Sequence, residues 1–217
     1  MSGEDILNIG EKLRAARKNK NFSLRKLAAL ADVSPSLLSQ IENGHANPSV
    51  MTLYNVASAL AIPITFFFPD SEVVSQERQL IHSDKTASEL RAKDETGFDL
   101  LAEQIKKSPV VTSHSRMSIE LLGGVRWERL TVSEEEDVQF LEIQYRPGAA
   151  SGQSMSRHSG REFGFILSGE LKLELGFERY LLKTGDSIMF QSNTPHRLSN
   201  EGDEIVRAIW VLVNRTG

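Results

Sequence analysis

The sequence predicts a multidomain α + β chain, with an N-terminal domain of five short helices followed by a C-terminal β domain. Three observations carry that expectation. The length of 217 residues suits two domains of about 100 to 200 residues each. A hydrophobic period near 3.6 holds from Ile9 to about Phe68, and from Val125 onward the period becomes two. The expected boundaries are 1–69, 70–118 and 119–217, the middle stretch being polar and charged after Pro69-Asp70.

Each helix has its own signals. Ile9, Leu13 and Ala16 form one apolar stripe, Leu24, Leu27, Ala28 and Ala31 a second, and Leu53, Val56, Ala57 and Leu60 another. Ser23, Ser34 and Ser49 stand just before helical segments, where a hydroxyl accepts from an orphan first-turn amide. Pro35 follows Ser34 at a position where its missing N–H is no loss. Asn43-Gly44 closes the third helix, and Asn47-Pro48 resets the chain. In the middle stretch a helix is expected over 98–107, with Phe98, Leu101, Ala102 and Ile105 on one face; as a linker helix docked on the β domain it carries no assigned function.

The β domain announces itself by alternation: Leu141, Ile143, Tyr145; Phe163, Phe165, Leu167; and Leu171-Lys172-Leu173-Glu174-Leu175. Turn signals at Pro147-Gly148, Gly160, Ser168-Gly169, Gly185-Asp186 and Asn193-Thr194-Pro195 separate short strands, the signature of a sandwich or barrel.

Composition narrows the chemistry. With no cysteine, disulfides, thiolate zinc sites, iron–sulfur clusters and thiol catalysis are excluded, so any metal must be held by His and carboxylate. Neither an export signal nor an apolar run of membrane-spanning length is present, and a cytoplasmic location without membrane attachment is expected. The net charge of −4 is unevenly distributed. Residues 9–31 hold seven Lys and Arg against the single Glu11, a net +6. A basic surface confined to one end suits phosphate contact; a solvated helix face is the plainer alternative.

The stretch from Ser23 to Gly44, with its Leu27-Ala28 pair, tight turn, Ser34-capped helix and Ile41-Glu42-Asn43-Gly44 exit, resembles the helix-turn-helix of the phage-repressor or xenobiotic-response-element family, over about residues 9–68. That resemblance implies a DNA-binding domain. Pro35, Ser36, Ser39 and Gln40 then lie at the base edges, with the capping Ser34 beside them in the DNA-binding surface, Gln40 being suited to a bidentate contact with adenine. Arg17, Arg25, Asn43 and Asn47 are the implied phosphate contacts. In relatives a pair matching Arg17 and Glu42 joins helix 1 to helix 3, which gives Arg17 a structural role as well. Double-stranded DNA bearing an inverted repeat, read by a homodimer, is the implied partner.

Two further elements, over about residues 138–213, resemble the cupin superfamily and imply a double-stranded β-helix barrel. The first runs Ser156-Arg157-His158-Ser159-Gly160-Arg161-Glu162 with Gly169 seven residues on; Ser156 stands where the family has a first histidine. In the second, His196 and Asn200 keep the family register, although its Pro and inner Gly are lost. His158, Glu162 and His196 therefore remain as a two-imidazole, one-carboxylate donor set for one divalent ion, with Fe, Mn, Ni and Zn unresolved. The other reading of such a histidine is a hydrogen-bonded pocket group. Candidate effector contacts are Arg157, Arg161 and Arg197, which equally suit a barrel rim, and Tyr145, Phe163, Phe165 and Trp210, which equally suit the core.

Together the resemblances imply a transcription regulator whose barrel senses a small molecule, a metal or both. The alternative is a mononuclear non-heme iron enzyme: the fosfomycin-forming epoxidase also joins a helical domain to a cupin with two His and one Glu. A complete reading helix with a basic flank favours regulation. A cupin isomerase lacks a clear acid/base pair in the sequence.

Overall fold

The computed structural model describes residues 3–69 and 109–213, apart from 134 and 136. Four α-helices open the chain: α1 (Gly3–Asn19), α2 (Leu24–Leu30), α3 (Pro35–Glu42) and α4 (Val50–Leu60). The hydroxyls of Ser23, Ser34 and Ser49 accept from the amides of Lys26, Leu37 and Thr52, each at 3.1 Å, so the expected N-caps are present. The expected fifth helix is instead one 3-10 turn, Ile64–Phe67, because Pro63 and the apolar Ile64 and Phe67 tuck the chain back into the core within a single turn. Gly44 adopts φ 70, which lets the chain leave α3 sharply. Leu13, Leu27, Leu38, Ile41, Leu53 and Phe67 are almost fully buried and form the core of this domain.

Among the described residues nine strands follow: β1 (Ser118–Leu121), β2 (Val125–Arg129), β3 (Val138–Tyr145), β4 (Arg161–Ser168), β5 (Glu170–Leu175), β6 (Glu178–Lys183), β7 (Ser187–Gln191), β8 (His196–Ser199) and β9 (Val206–Val213). They make two antiparallel sheets, ordered β1-β2-β3-β9-β4-β7 and β6-β5-β8. The expected barrel is thus two sheets enclosing a shared core, without continuous hydrogen bonding around the circumference. At the seam, residues 149–160 pair with β8 as the isolated bridges Ala150↔Ser199 and Ser156↔His196 and not as a continuous ladder. This segment holds Gly152 and Gly160 and four serines, a composition that does not sustain a ladder. The helix expected over 98–107 lies outside the described residues.

Close approach and charge set the helical packing. A side chain at Gly10 would collide with the carbonyl of Ile41, so only glycine lets α1 lie this close to α3. That approach places Arg17 against the buried Glu42 in a two-pronged pair, Nε to Oε1 at 2.6 Å and Nη2 to Oε2 at 2.7 Å, while Nη1 donates to the carbonyl of Phe22. In the β domain Glu142 is likewise buried, and it accepts from Arg116 and Arg207, both at 2.7 Å.

Removing one member of a buried pair leaves an uncompensated charge. Arg17→Ala is therefore expected to lower the stability of the helical domain by about 3 kcal/mol, whereas Arg25→Ala on the exposed side of α2 changes it by less than about 0.5 kcal/mol. Urea unfolding followed by circular dichroism checks both; equal midpoints for the two variants contradict this assignment.

Candidate functional site

On the helical domain, α3 presents Pro35, Ser36 and Gln40 to solvent, with Ser39 half-buried between them, and Ser34 is engaged as the cap. Arg25 is exposed on α2. Asn43 closes α3, its amide nitrogen donating to the carbonyl of Ser39 at 2.7 Å while Arg14 donates to its side-chain oxygen. Asn47 lies half-buried in the loop before α4. Arg17 stands apart from the other residues expected at the phosphates, since its guanidinium is committed to Glu42 and Phe22. Arg14, which the sequence reading passed over, is close to Asn43 at the exit of α3 and remains 41% exposed.

In the β domain three donors converge. Glu162 projects inward from β4, and its Oε1 lies 3.1 Å from Nε2 of His158 and 3.2 Å from Nε2 of His196. The other face of each imidazole is already occupied. Nδ1 of His158 lies 3.0 Å from the carbonyl of Ser159, and Nδ1 of His196 lies 2.9 Å from that of Thr194. A carbonyl only accepts, so each Nδ1 carries the proton, and in the neutral rings both Nε2 lone pairs face a carboxylate oxygen. Oε2 of Glu162 accepts from the indole of Trp210 at 2.7 Å. Burial disfavours the charge on Glu162, but the hydrogen bond with His158 and the two imidazoles hold its carboxyl below the ordinary value. Burial likewise opposes charge on His158, yet the bond to Glu162 raises its pKa.

This arrangement fits a divalent ion. Three lone pairs meet without a permanent cation among them, the tautomers are the ones a metal requires, and separations of 3.1 and 3.2 Å match neighbouring donors around an ion with bonds of about 2.1 Å, roughly 3.0 to 3.4 Å apart. Glu42 and Glu142 meet guanidinium; Glu162 does not.

The comparisons with known proteins agree with this division. Residues 13–67 match the helix-turn-helix family model, and residues 141–212 match that of the cupin domain. The chain joins a helix-turn-helix domain to a cupin domain. It is 24% identical over 200 residues to the HTH-type transcriptional regulator PuuR of Escherichia coli, spanning 92% of this chain and 91% of that protein. Identity to the HTH-type transcriptional regulator SlrR of Bacillus subtilis is 42% over 71 residues, 32% of this chain and 46% of the relative. The crystal structure of an HTH_3 family transcriptional regulator from Vibrio cholerae superposes with a TM-score of 0.64 at 20% identity, covering 99% of both chains, and so shares the fold.

Within the cupin domain the cavity around the three donors has walls from both sheets, including Trp127, Leu141, Tyr145, Leu198 and Trp210. Its free volume is about 20 Å³, room for one water or ion. Tyr145 reaches it, and burial beside Glu162 keeps its phenol protonated. Ser156, in the place of the missing histidine, also lines it. Phe165 and Phe163 do not: period two along β4 sends Glu162, Gly164 and Ile166 inward and these rings outward, so they are corrected to the outer sheet face, with Arg161 beside them. Arg197 also points away, tied to Glu174 at 2.9 Å and to the carbonyl of Gly152 at 2.8 Å, and Arg157 is exposed. Gly164 is part of the site by what it lacks. A side chain there would run into the Trp210 ring that crosses β4 to reach Glu162.

The residue that sequence reasoning missed is Tyr54 of α4. Its ring stacks on His158, centroids 4.5 Å apart and planes 6° from parallel, and meets Trp127 edge-on at 5.7 Å. Burial, and after it the nearby Glu162, hold its phenol well above the usual range, so it stays neutral. The signal was available: Val50, Met51 and Tyr54 are apolar positions of α4 outside the stripe of Leu53, Val56, Ala57 and Leu60.

Two outcomes are expected for divalent-ion binding measured by calorimetry. Since a proton on His158 competes with an ion and this imidazole keeps its proton to higher pH than usual, affinity rises with pH through and beyond the ordinary value of about 6.5, with proton release on binding. Gly164→Ala, by displacing Trp210 from Glu162, weakens binding about 10-fold or more. Affinity independent of pH between about 6 and 8 contradicts the first.

Proposed function

We propose that this chain is a cytoplasmic transcription regulator, a homodimer that binds an inverted-repeat DNA site and whose cupin domain senses a divalent metal, a small molecule that coordinates it, or both. One observation carries the reading: a complete, Ser34-capped, exposed reading helix sits on a domain whose own helix α4 forms a wall of the cupin cavity. His158, Glu162 and His196 are the residues that would hold the ion, which would supply a fixed positive charge and open positions for an anionic or chelating ligand. The same donor set supports the second reading, a non-heme iron enzyme; oxygen-dependent conversion of a small substrate would favour it.

Dimerisation is supported by the outer face of the larger sheet. Phe140, Phe163, Phe165 and Met189 are all more than a third exposed there, and Phe163 pairs with Val211 on one side and Met189 on the other, making one apolar row across four strands. A second copy is the occupant proposed, because a twofold assembly supplies the two reading helices that an inverted repeat needs.

In selection from a random DNA pool, the protein is expected to enrich half-sites about one helical turn apart or a multiple of it. Gln40→Ala should relax preference at one base position per half-site, costing about 1 to 3 kcal/mol. Arg25→Ala should weaken all sequences alike and reduce the salt slope by about one per head. An unchanged consensus for Gln40→Ala would show that the reading helix is misplaced. Independently, the double variant Phe163→Asp, Met189→Asp should sediment as a monomer at concentrations where the wild type is dimeric.

A further inference from the structure

The cupin cavity and the DNA-reading domain share a wall. Val50 and Tyr54 stand one turn apart on α4, and both line the cavity that holds His158, Glu162 and His196. The adjoining face of the same helix, Leu53, Val56, Ala57 and Leu60, is buried in the helical core with Leu27 of α2 and Leu38 and Ile41 of the reading helix. One short helix therefore belongs to both cores.

Its start is fastened to the β domain as well. The amide of Met51, one of the orphan donors of the first turn, is answered by the carbonyl of Ser151 at 3.2 Å, and the carbonyl of Pro48 accepts from the amide of Leu122 at 2.9 Å. Further along, the Arg129 guanidinium lies over Phe68, 6.0 Å from its centroid. Ser151 continues into the cavity wall, and its hydroxyl accepts from the amide of Leu198 at 3.1 Å.

Size then becomes decisive. About 20 Å³ of free volume beside the triad holds one water or ion. With Val50, the ring lying flat on His158 is the part of the wall contributed by the other domain. A ligand of several atoms gains room beside the triad when Tyr54 leaves the His158 face, and Tyr54 leaves when α4 moves. Even a change confined to the triad alters the 3.1 Å contact between Oε1 of Glu162 and Nε2 of the imidazole on which Tyr54 lies.

We infer that Tyr54 is the lid of the cupin site and the residue through which its occupancy reaches the DNA-reading helix. This rests on the regulator reading above and assigns its coupling residue. A ligand shifts such an equilibrium only by its unequal affinity for the two arrangements, and couplings of this kind run from about 5-fold to 150-fold.

The test uses the full-length chain, DNA chosen from the random pool, and zinc(II) alone as the probe, with DNA affinity read by fluorescence anisotropy and zinc affinity by calorimetry. In the wild type, zinc is expected to change the DNA Kd by about 5-fold or more. Tyr54→Leu, which keeps an apolar filler against His158, should retain zinc affinity within about threefold and DNA binding without zinc, yet lose the zinc-dependent change; Tyr54→Phe, which keeps the ring stack, should retain it. Hydrogen exchange over α4 in the wild type should also change on zinc addition, a measurement that does not depend on any variant folding. A full zinc-dependent change in Tyr54→Leu, or zinc binding that leaves α4 exchange and DNA affinity untouched in the wild type, overturns the coupling. Failure of the wild type to select any DNA is seen before zinc is added, and it is the regulator reading that then falls.

Discussion

Burying a carboxylate costs several kcal/mol unless charge or hydrogen bonds answer it, and that constraint organises both domains. Among the described residues three glutamates are buried: Glu42, Glu142 and Glu162. Glu42 ties α1 to α3 through Arg17, and Glu142 draws Arg116 and Arg207 onto the outer side of β3. In both, a permanent cation is present, burial is compensated, and nothing more is required of the site. Glu162 is different. Its partners are two imidazoles and an indole, none of which carries a fixed charge. Burial disfavours its charge, and the facing imidazoles offset that, holding the carboxyl of Glu162 below and the imidazole of His158 above their ordinary values. The contrast among the three glutamates separates architecture from chemistry more sharply than burial alone.

The surroundings of Glu162 show how much of the fold serves that one group. Gly164 leaves space for Trp210 to cross β4, and Trp210 in turn fixes Oε2. The carbonyls of Ser159 and Thr194 set the imidazole tautomers from two neighbouring turns. Asn200, two residues beyond β8's Leu198, donates to the carbonyls of Tyr145 and Glu204 and accepts from the amide of Gly202, holding the corner from which His196 is presented. These are backbone and small-residue devices, and they leave the triad rigid while its mouth is closed by a side chain from elsewhere.

Much of this was legible in the chain. Three serine caps, the 3.6-residue stripes and the tight exit at Asn43-Gly44 each reflect a local rule, so the helices are found where those rules place them. The donors His158, Glu162 and His196 were legible through the cupin resemblance, whose motif register marks those three positions. What was not legible depended on choosing between two faces. Phe163 and Phe165 look like core by composition, but the parity of β4 is set by Glu162, and a polar residue inward sends its aromatic neighbours outward. The last helix failed because Pro63 and a short apolar run satisfy a single 3-10 turn as readily as a helix. Tyr54 was missed because a helix with two apolar faces reads as one broad stripe, and the second face has meaning only against the other domain.

That second face bears on the choice between sensor and enzyme. A catalytic cavity must admit substrate and release product at every turnover, which is most easily served by a lid on a loop that moves independently of the core. Here the lid is a ring on α4, a helix whose remaining apolar residues are buried in one core with those of α2 and the 3-10 turn. Moving it repacks the domain that carries Gln40 and Arg25, so opening the cavity is costly for rapid turnover and well suited to reporting occupancy at a distance. The same covalent arrangement that would slow an enzyme gives a regulator its two linked states, with packed helices as the bistable element between the cavity and the reading surface.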